Sequence, residues 1–294
     1  MKKSLILVAK GLAMGAADVV PGVSGGTIAF ISGIYETLLA SISAVNFSLL
    51  ATFKKEGIPG VWRAVNGNFL LPLLSGIAIS ILSLAKVVTY LMDHHPIGIW
   101  SFFFGLVLAS IVLVVRMIRV PNGTVWVAGA AGAVLAYWIT TLTPGNAAEL
   151  SYGYLFFCGF IAICAMILPG ISGSFILVLL GAYRFVLDSL HERNLAVIGV
   201  FAAGALIGIT SFSHVLKWLF ARFHDATVAC LAGFMLGSLA KVWPWRTGGA
   251  VDAPDAPWNW VDKDPLWLTA FGLAALGALL VLGLEYWGSR RAQS

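Results

Sequence analysis

The most informative segment for the fold covers residues 20–42 and reads VPGVSGGTIAFISGIYETLLASI. It places a Pro-Gly-x-Ser-Gly motif inside an apolar stretch. Proline removes a backbone donor and clashes with the preceding helical turn, while the glycines permit conformations that other residues resist. A helix therefore breaks at this motif. Ser24 and Thr27 stand where a side chain can cap the helix that restarts after the break.

The same motif recurs at residues 168–190, which read LPGISGSFILVLLGAYRFVLDSL. The two segments align without gaps at an offset of 148 residues (20 to 168), close to half of the 294-residue chain. Further along, an offset of 128 residues aligns Gly76 with Gly204, so the first half holds an insertion, placed at the polar segment 48–68. The sequence thus predicts an internal duplication. Its two halves are residues 1–147 and 148–294.

The composition is that of an integral membrane protein. Hydrophobic residues make up 60% of the chain, charged residues 11%, and the mean hydropathy is +0.93, whereas a soluble domain carries about a quarter charged residues. The net charge of +5 is better explained by membrane topology than by nucleic-acid binding. Three cysteines without paired spacing predict no disulfide framework, and we expect no metal or cofactor. Apolar blocks, most of them long enough to cross a bilayer, cover 69–92, 98–115, 124–142, 196–221, 227–242 and 266–284.

Basic residues predict the orientation of these blocks. Lysines near the N-terminus and in the 48–68 segment place both on the cytoplasmic side, so the first motif region leaves and returns on one face. Three crossings then bring the chain to an outer loop at 143–152 that lacks basic residues. The second half starts outside and ends at Arg290 and Arg291 inside. The two halves are therefore predicted to have inverted topology, with both termini in the cytoplasm.

These observations predict an all-α polytopic membrane protein built from two inverted repeats. Each repeat would hold a broken-helix hairpin, re-entrant or crossing twice, followed by three transmembrane helices. Backbone groups freed at a break are costly in lipid, so each break must be buried in protein or line a wet cavity. A helix that restarts there directs free N–H groups and a positive dipole end toward an anion. Two inverted copies bring two such ends toward the membrane midplane.

Ionisable residues within the apolar segments are candidates for function, because they are expensive in a membrane. Asp18 precedes the first break, and Glu36 and Arg184 occupy equivalent positions in the two repeats. Lys86 and His214 are equivalent at the offset of 128. Arg184 and the Lys86/His214 pair can hold a phosphate, and Asp18 or Glu36 can carry a coupling proton. The alternative is that Glu36, Arg184 and Lys86 extend to the membrane surface, with no role in binding.

Gly22-Val23-Ser24-Gly25-Gly26 also matches the G-x-S-x-G nucleophile elbow. This match suggests an alternative function, that of an intramembrane serine hydrolase with Ser24 as its nucleophile. That elbow needs a histidine with an orienting acid. The second copy, Gly170-Ile171-Ser172-Gly173-Ser174, keeps Pro-Gly-x-Ser-Gly and loses the elbow. The duplication therefore preserves backbone geometry rather than a catalytic set, and we predict that the protein is not an enzyme. A second alternative is that the protein is a transporter or channel for a small soluble anion.

Residues 11–36, GLAMGAADVVPGVSGGTIAFISGIYE, and 167–183, ILPGISGSFILVLLGAY, resemble a bacterial family of polyprenyl-phosphate transporters, formerly a domain of unknown function. The resemblance spans essentially the whole chain. It implies a multi-pass protein of the bacterial inner membrane that returns undecaprenyl phosphate, the carrier of cell-wall precursors, from the outer to the cytoplasmic leaflet. The expected partners are this lipid, the bilayer and a coupling ion, proton or sodium.

The resemblance carries over the motif residues of both breaks and Asp18, whereas roles for Glu36, Arg184, Lys86 and His214 follow from their positions. The expected mechanism is alternating access, with the phosphate bound at the paired breaks. Candidate substrate-binding residues are Ser24, Gly25, Gly26, Thr27, Ser172, Gly173, Ser174, Arg184, Lys86 and His214, and candidate coupling or structural residues are Asp18, Glu36, Pro21, Gly22, Pro169 and Gly170.

Overall fold

A computed structural model describes residues 2–19, 24–46, 48–142, 145, 150–245 and 266–292. These residues form thirteen α-helices and one 3-10 turn. The first half contributes α1 (Lys2–Val19), α2 (Gly25–Ile31), α3 (Tyr35–Ser43), α4 (Ser48–Ala64), α5 (Gly67–His94), α6 (Pro96–Val115) and α7 (Gly123–Thr141). The second half contributes α8 (Tyr152–Ile167), α9 (Gly173–Leu179), α10 (Tyr183–His191), α11 (Leu195–Arg222), α12 (His224–Ser238), the 3-10 turn (Leu239–Val242) and α13 (Trp267–Ala292).

Three pairs of helices at aligned sequence positions have the same lengths. Helices α2 and α9 have 7 residues each, α3 and α10 have 9 each, and α5 and α11 have 28 each. The last two helices of this set end in nearly identical backbone geometry, with φ −133° and ψ 51° at His95 and φ −137° and ψ 50° at Phe223. Helix α4, which falls in the predicted insertion, is interrupted at Gly57, where φ is 63°.

The lengths and hydropathy of the described helices confirm an all-helical, multi-pass membrane protein. Five stretches are long and apolar enough to cross a bilayer, and two bent helix pairs raise the number to seven if each counts as one span. The five stretches are Gly67–Leu84, Pro96–Val115, Gly123–Thr141, Leu195–Arg222 and His224–Val242.

Each bent pair turns sharply at a glycine. The angle between α2 and α3 is 116°, and the angle between α9 and α10 is 112°. Gly33 lies at the first bend with φ +69°, and the aligned Gly181 lies at the second with φ +68°. Both values fall in the left-handed region, where a side chain is strained. The sequence alignment had matched these two glycines without predicting that they bend the chain.

The segments on either side of each Pro-Gly-x-Ser-Gly motif run antiparallel. At the tip of the first hairpin, Gly25 N donates to Asp18 Oδ1 at 2.7 Å, and at its base Lys10 Nζ donates to the Ser32 carbonyl at 2.6 Å. At the base of the second hairpin, Tyr154 OH donates to the Leu180 carbonyl at 2.9 Å. The chain therefore folds back on itself at both motifs.

The long helices pack in four close pairs. In two of these pairs, one helix comes from each half of the chain. Helix α1 packs along α5 and α8 packs along α11, whereas α6 packs against α13 and α7 packs against α12. The last two helices of each half are thus partnered by the other half. Glycines allow these close approaches, as is common where membrane helices pack. A Cβ on Gly76 would collide with the Val8 carbonyl, and one on the aligned Gly204 would collide with the Phe156 carbonyl.

We predict that Gly204→Leu destabilises the protein, because its side chain has to displace the backbone of α8. Overpacking of this kind costs about 1–3 kcal/mol or more. The measurement is thermal unfolding of the purified full chain in detergent. Gly199→Leu is the matched control, since it lies on the same helix and a Cβ there meets no atom within 4 Å. Equal melting temperatures for the two variants would contradict the close packing of α8 and α11.

Candidate functional site at the two helix breaks

The first break is capped by its own serine. Ser24 has an extended backbone, with φ −124° and ψ 134°, and its Oγ accepts a hydrogen bond from Gly26 N at 3.1 Å. This is the N-cap arrangement that the motif predicts. The Ser24 side chain has 0% exposure, so the start of α2 lies in the protein interior.

Side chains of the first half satisfy carbonyls of the second. Helix α8 ends at Ile167, and the last carbonyls of a helix have no partner within it. Ser24 Oγ donates to the Met166 carbonyl at 3.1 Å, and Tyr35 OH donates to the Ile167 carbonyl at 3.2 Å. Because lipid offers no replacement donors, these bonds fasten the two breaks to each other.

Thr27 provides the reciprocal contact. Its Oγ1 accepts a hydrogen bond from Gly170 N at 3.2 Å, so it serves the other break rather than capping its own helix. Gly170 has φ +89°, and a Cβ on it would lie 2.7 Å from Ser238 Oγ. The second break is therefore enclosed between α2 and the end of α12, and both breaks form one buried polar cluster.

Asp18 occupies the position where the sequence predicted a bound anion. The first amide of α2, Gly25 N, donates to the Asp18 carboxylate, the next donates to Ser24 Oγ, and Thr27 N donates to the Ser24 carbonyl at 2.9 Å. The amides at the start of α2 thus already have acceptors in the protein. A carboxyl group of the protein therefore occupies the position predicted for the anion.

The second break has different chemistry at the aligned positions. Met166 stands where the first repeat has Asp18. Ser172 is buried at the start of α9 without capping it, and its Oγ lies 2.7 Å from Ser174 Oγ. Pro169 is buried in the same break. This break therefore presents a pair of hydroxyl groups and no acid at the aligned position.

One charged residue at this site was missed by sequence reasoning. Lys241 lies in the 3-10 turn after α12 with 5% exposure, and its Nζ is 4.3 Å from the centre of the Phe175 ring. Phe175 directly follows Ser174. In the sequence, Lys241 ends an apolar block next to tryptophans, which is typical of a residue at the membrane surface. The one indication in the sequence was that this lysine lies within the apolar stretch 227–242 and not beyond its end.

Other predicted residues lie elsewhere on the surface of the described protein. Arg184 is exposed on α10, and His214 is exposed on α11 with its Nδ1 2.7 Å from the Thr210 carbonyl. Glu36 is exposed on α3, where its Oε1 is 3.9 Å from His224 Nε2. Pro21, Gly22 and the Lys86 side chain fall outside the described residues. Among those that are described, no group of three or more His, Cys, Asp or Glu is placed to hold a metal ion.

The two bent pairs differ in how tightly they are covered. On α3, Tyr35 is 3% exposed, and its ring centre lies 4.9 Å from that of Phe30 and 5.9 Å from that of Phe220 on α11. On α10, the aligned Tyr183 is 37% exposed. The duplicated tyrosine is therefore packed on one side of the molecule and open on the other.

A multi-pass helical protein whose two broken helices meet in a buried polar cluster belongs to the class of membrane transporters with broken-helix sites. The family model described as "VCA0040-like: Undecaprenyl phosphate translocase-like" matches residues 14–255, and the chain belongs to this family. The resemblance drawn from the two motif copies is thus confirmed, and the family is one of transporters, not enzymes.

Two relatives show how far the similarity extends. A polyprenyl-phosphate transporter of Vibrio cholerae serotype O1 is 47% identical over 298 residues, covering 96% of each chain. A polyprenyl-phosphate transporter of Staphylococcus aureus is 32% identical over 257 residues, covering 81% of this chain and 86% of that one. No solved structure matches the chain.

We predict that Tyr35→Phe destabilises the protein by about 1–3 kcal/mol, because the buried Ile167 carbonyl loses its donor. Thermal unfolding of the full chain in detergent measures the effect. Tyr183→Phe removes the aligned hydroxyl at an exposed position and is expected to leave the melting temperature unchanged. If both variants melt like the wild type, the bond between the breaks contributes nothing to stability.

Proposed function

We propose that this protein transports undecaprenyl phosphate from the outer to the cytoplasmic leaflet, binding the phosphate at the joined breaks while the polyprenyl chain stays in lipid. The observation that carries the proposal is the contact of two Pro-Gly-x-Ser-Gly breaks in the buried interior, through Gly170 N and Thr27 Oγ1, in a chain of the undecaprenyl phosphate translocase-like family. A phosphate needs polar partners that lipid does not provide, and this cluster supplies them.

The transport cycle requires two equivalent halves, which we place at residues 1–147 and 148–294 in inverted topology. Matching helix lengths and the matching bends at Gly33 and Gly181 support the duplication. Helices α2 and α9, with 7 residues each, are too short to cross a bilayer alone and bend sharply into α3 and α10, which supports the re-entrant form. Basic residues near the N-terminus and in the 48–68 segment support cytoplasmic termini in the inner membrane.

Alternating access is supported by the unequal covering of the two bent pairs. Phe30, Tyr35 and Phe220 close the molecule between α3 and α11, whereas Tyr183 and Arg184 on α10 are exposed. By the predicted topology, the closed side is cytoplasmic and the open side is outer. The opposite state would open the α3 side and cover α10.

The coupling group in this scheme is Asp18. Its carboxylate accepts the hydrogen bond from Gly25 N at 2.7 Å, and a proton or sodium ion bound to it would compete with this amide. Binding of the coupling ion would thereby loosen the tip of the first hairpin. Ser24, which directly precedes Gly25, donates a hydrogen bond to the Met166 carbonyl of the other half, so this contact would loosen too. Glu36 is assigned to the closed side together with His224.

The function is tested with the full chain in proteoliposomes that contain undecaprenyl phosphate, using an impermeant phosphatase to hydrolyse the lipid exposed outside. We expect the protein to exchange lipid between leaflets faster than protein-free vesicles do. Replacing Ser172 and Ser174 together by alanine should slow exchange about tenfold, because a hydrogen bond to a charged group contributes about 1.5–3 kcal/mol. Ser83→Ala, at an exposed serine bonded within its own helix, should have no effect.

The same assay separates the alternatives. A transporter or channel for a soluble anion predicts that inorganic phosphate competes fully with the lipid, whereas we expect no competition at equal concentration. A hydrolase predicts free phosphate without added phosphatase. Vesicles whose lipid distribution is unaffected by the protein would refute the proposed function.

Alternating access predicts that fixing the closed side stops repeated transport. Glu36→Cys and His224→Cys, in a background with Cys158, Cys164 and Cys230 changed to alanine, place two thiols where the native side chains approach to 3.9 Å. A short bis-methanethiosulfonate linker should abolish exchange, and reduction should restore it. Each single-cysteine variant controls for the reagent. Full exchange in the linked protein would show that this side does not open during transport.

A further inference from the structure

We propose that Lys241 is the cation that binds the lipid phosphate, and that the phosphate lies at the second break instead of equally between the two. This inference rests on the proposed function and adds a specific group to it. It assigns a buried cation to a site for which the sequence had suggested Arg184 and the Lys86/His214 pair as the charged partners of the phosphate.

Placing a charge where Lys241 lies is energetically costly. Of the side chains that the structure describes as buried, Lys241 is the single charged one, with 5% exposure. It follows α12, inside the candidate span His224–Val242. Ionisable groups within membrane segments are rare and face the interior or a pathway, because burying them is expensive. Apolar residues would pack there at lower cost, so the charge calls for a functional explanation.

Lys241 lies beside the second break. Lys241 Nζ lies 4.3 Å from the Phe175 ring, in the range of a cation–π contact, and Phe175 directly follows Ser174. Three residues before Lys241, Ser238 packs against Gly170, where a Cβ would lie 2.7 Å from Ser238 Oγ. The end of α12 and the turn after it therefore contact the second break at Gly170 and at Phe175.

The two breaks carry different ionisable groups. The first break carries the Asp18 carboxylate, and its aligned residue in the second repeat is Met166. Conversely, Lys241 aligns with Leu113 at the offset of 128. An anion is repelled at the first break and attracted at the second. The duplication has thus become electrostatically one-sided, which favours a single phosphate seat.

The chemistry of this seat fits a phosphate monoester. The ammonium group of Lys241 supplies the charge and the hydroxyls of Ser172 and Ser174, 2.7 Å apart, supply neutral donors. Lysine binds phosphate as a point charge rather than in a fixed fork. Such a seat tolerates small displacements of the head group, which suits a ligand that has to be released on the other side.

Binding of three probes to the full chain in lipid nanodiscs tests the proposal: undecaprenyl phosphate, the neutral undecaprenol and inorganic phosphate. Wild type should bind the lipid phosphate more tightly than undecaprenol. Lys241→Met should weaken binding of the lipid phosphate at least tenfold and leave undecaprenol unchanged. Lys241→Arg should retain most of the affinity. Lys217→Met, at an exposed lysine on α11, is the matched control and should bind like wild type.

A folded Lys241→Met protein that keeps its preference for the lipid phosphate would overturn the assignment and leave the proposed function standing. Wild type that does not distinguish the lipid phosphate from undecaprenol would instead count against the proposed function. Inorganic phosphate bound as tightly as the lipid would assign the Lys241 seat to a soluble anion and overturn the lipid assignment.

A measurement on wild type covers the case in which Lys241→Met fails to fold. Carbodiimide activation of bound undecaprenyl phosphate couples the phosphate to an amine in direct contact, with loss of the activated oxygen as urea. Peptide mass spectrometry should find the resulting phosphoramidate at Lys241. Coupling at a different lysine, such as Lys10 or Lys86, would place the phosphate elsewhere and overturn the proposal.

Discussion

Every backbone amide and carbonyl that a broken helix frees inside a membrane needs a partner from the protein, because lipid offers none. In this protein the partners for the second break come from the first half of the chain. Ser24 and Tyr35 donate to the carbonyls at the end of α8, and Thr27 accepts from Gly170 N. The described amides at the start of α2 are satisfied within their own half, by Asp18 and Ser24. The second break therefore depends on the first at the centre of the fold, and the last helices of each half pack against the other half.

This dependence has a consequence for the proposed transport cycle. Hydrogen bonds between side chains and backbone are individually modest, yet a buried group left without one is costly. A movement that separates the breaks would leave the Met166 and Ile167 carbonyls without donors and Gly170 N without its acceptor. A phosphate oxygen could accept from Gly170 N, so substrate binding and conformational change would share this amide.

The sequence predicted the elements whose causes are local. A proline followed by glycine favours a helix break through local backbone geometry, and the Ser24 cap follows from the motif. The sharp bends at Gly33 and Gly181 were missed, because a glycine within an apolar run does not reveal its φ. Lys241 was missed because its burial depends on α9 and the end of α12 meeting in space. The same limit applied to Asp18, whose partner Gly25 N is defined by the antiparallel hairpin.

The two halves have similar backbone geometry at their bends, but their side chains differ at aligned positions. Asp18 aligns with Met166, Thr27 aligns with Phe175, and Leu113 aligns with Lys241. The equivalent carbonyls of Ser32 and Leu180 are satisfied by Lys10 in one half and by Tyr154 in the other. In the proposed alternating-access cycle, two similar halves would give two states of similar energy, because each half could adopt the other's packing. Divergence of the side chains would then place the acidic group at the first break and the basic group at the second, so that a single anionic ligand has one seat, at the second break.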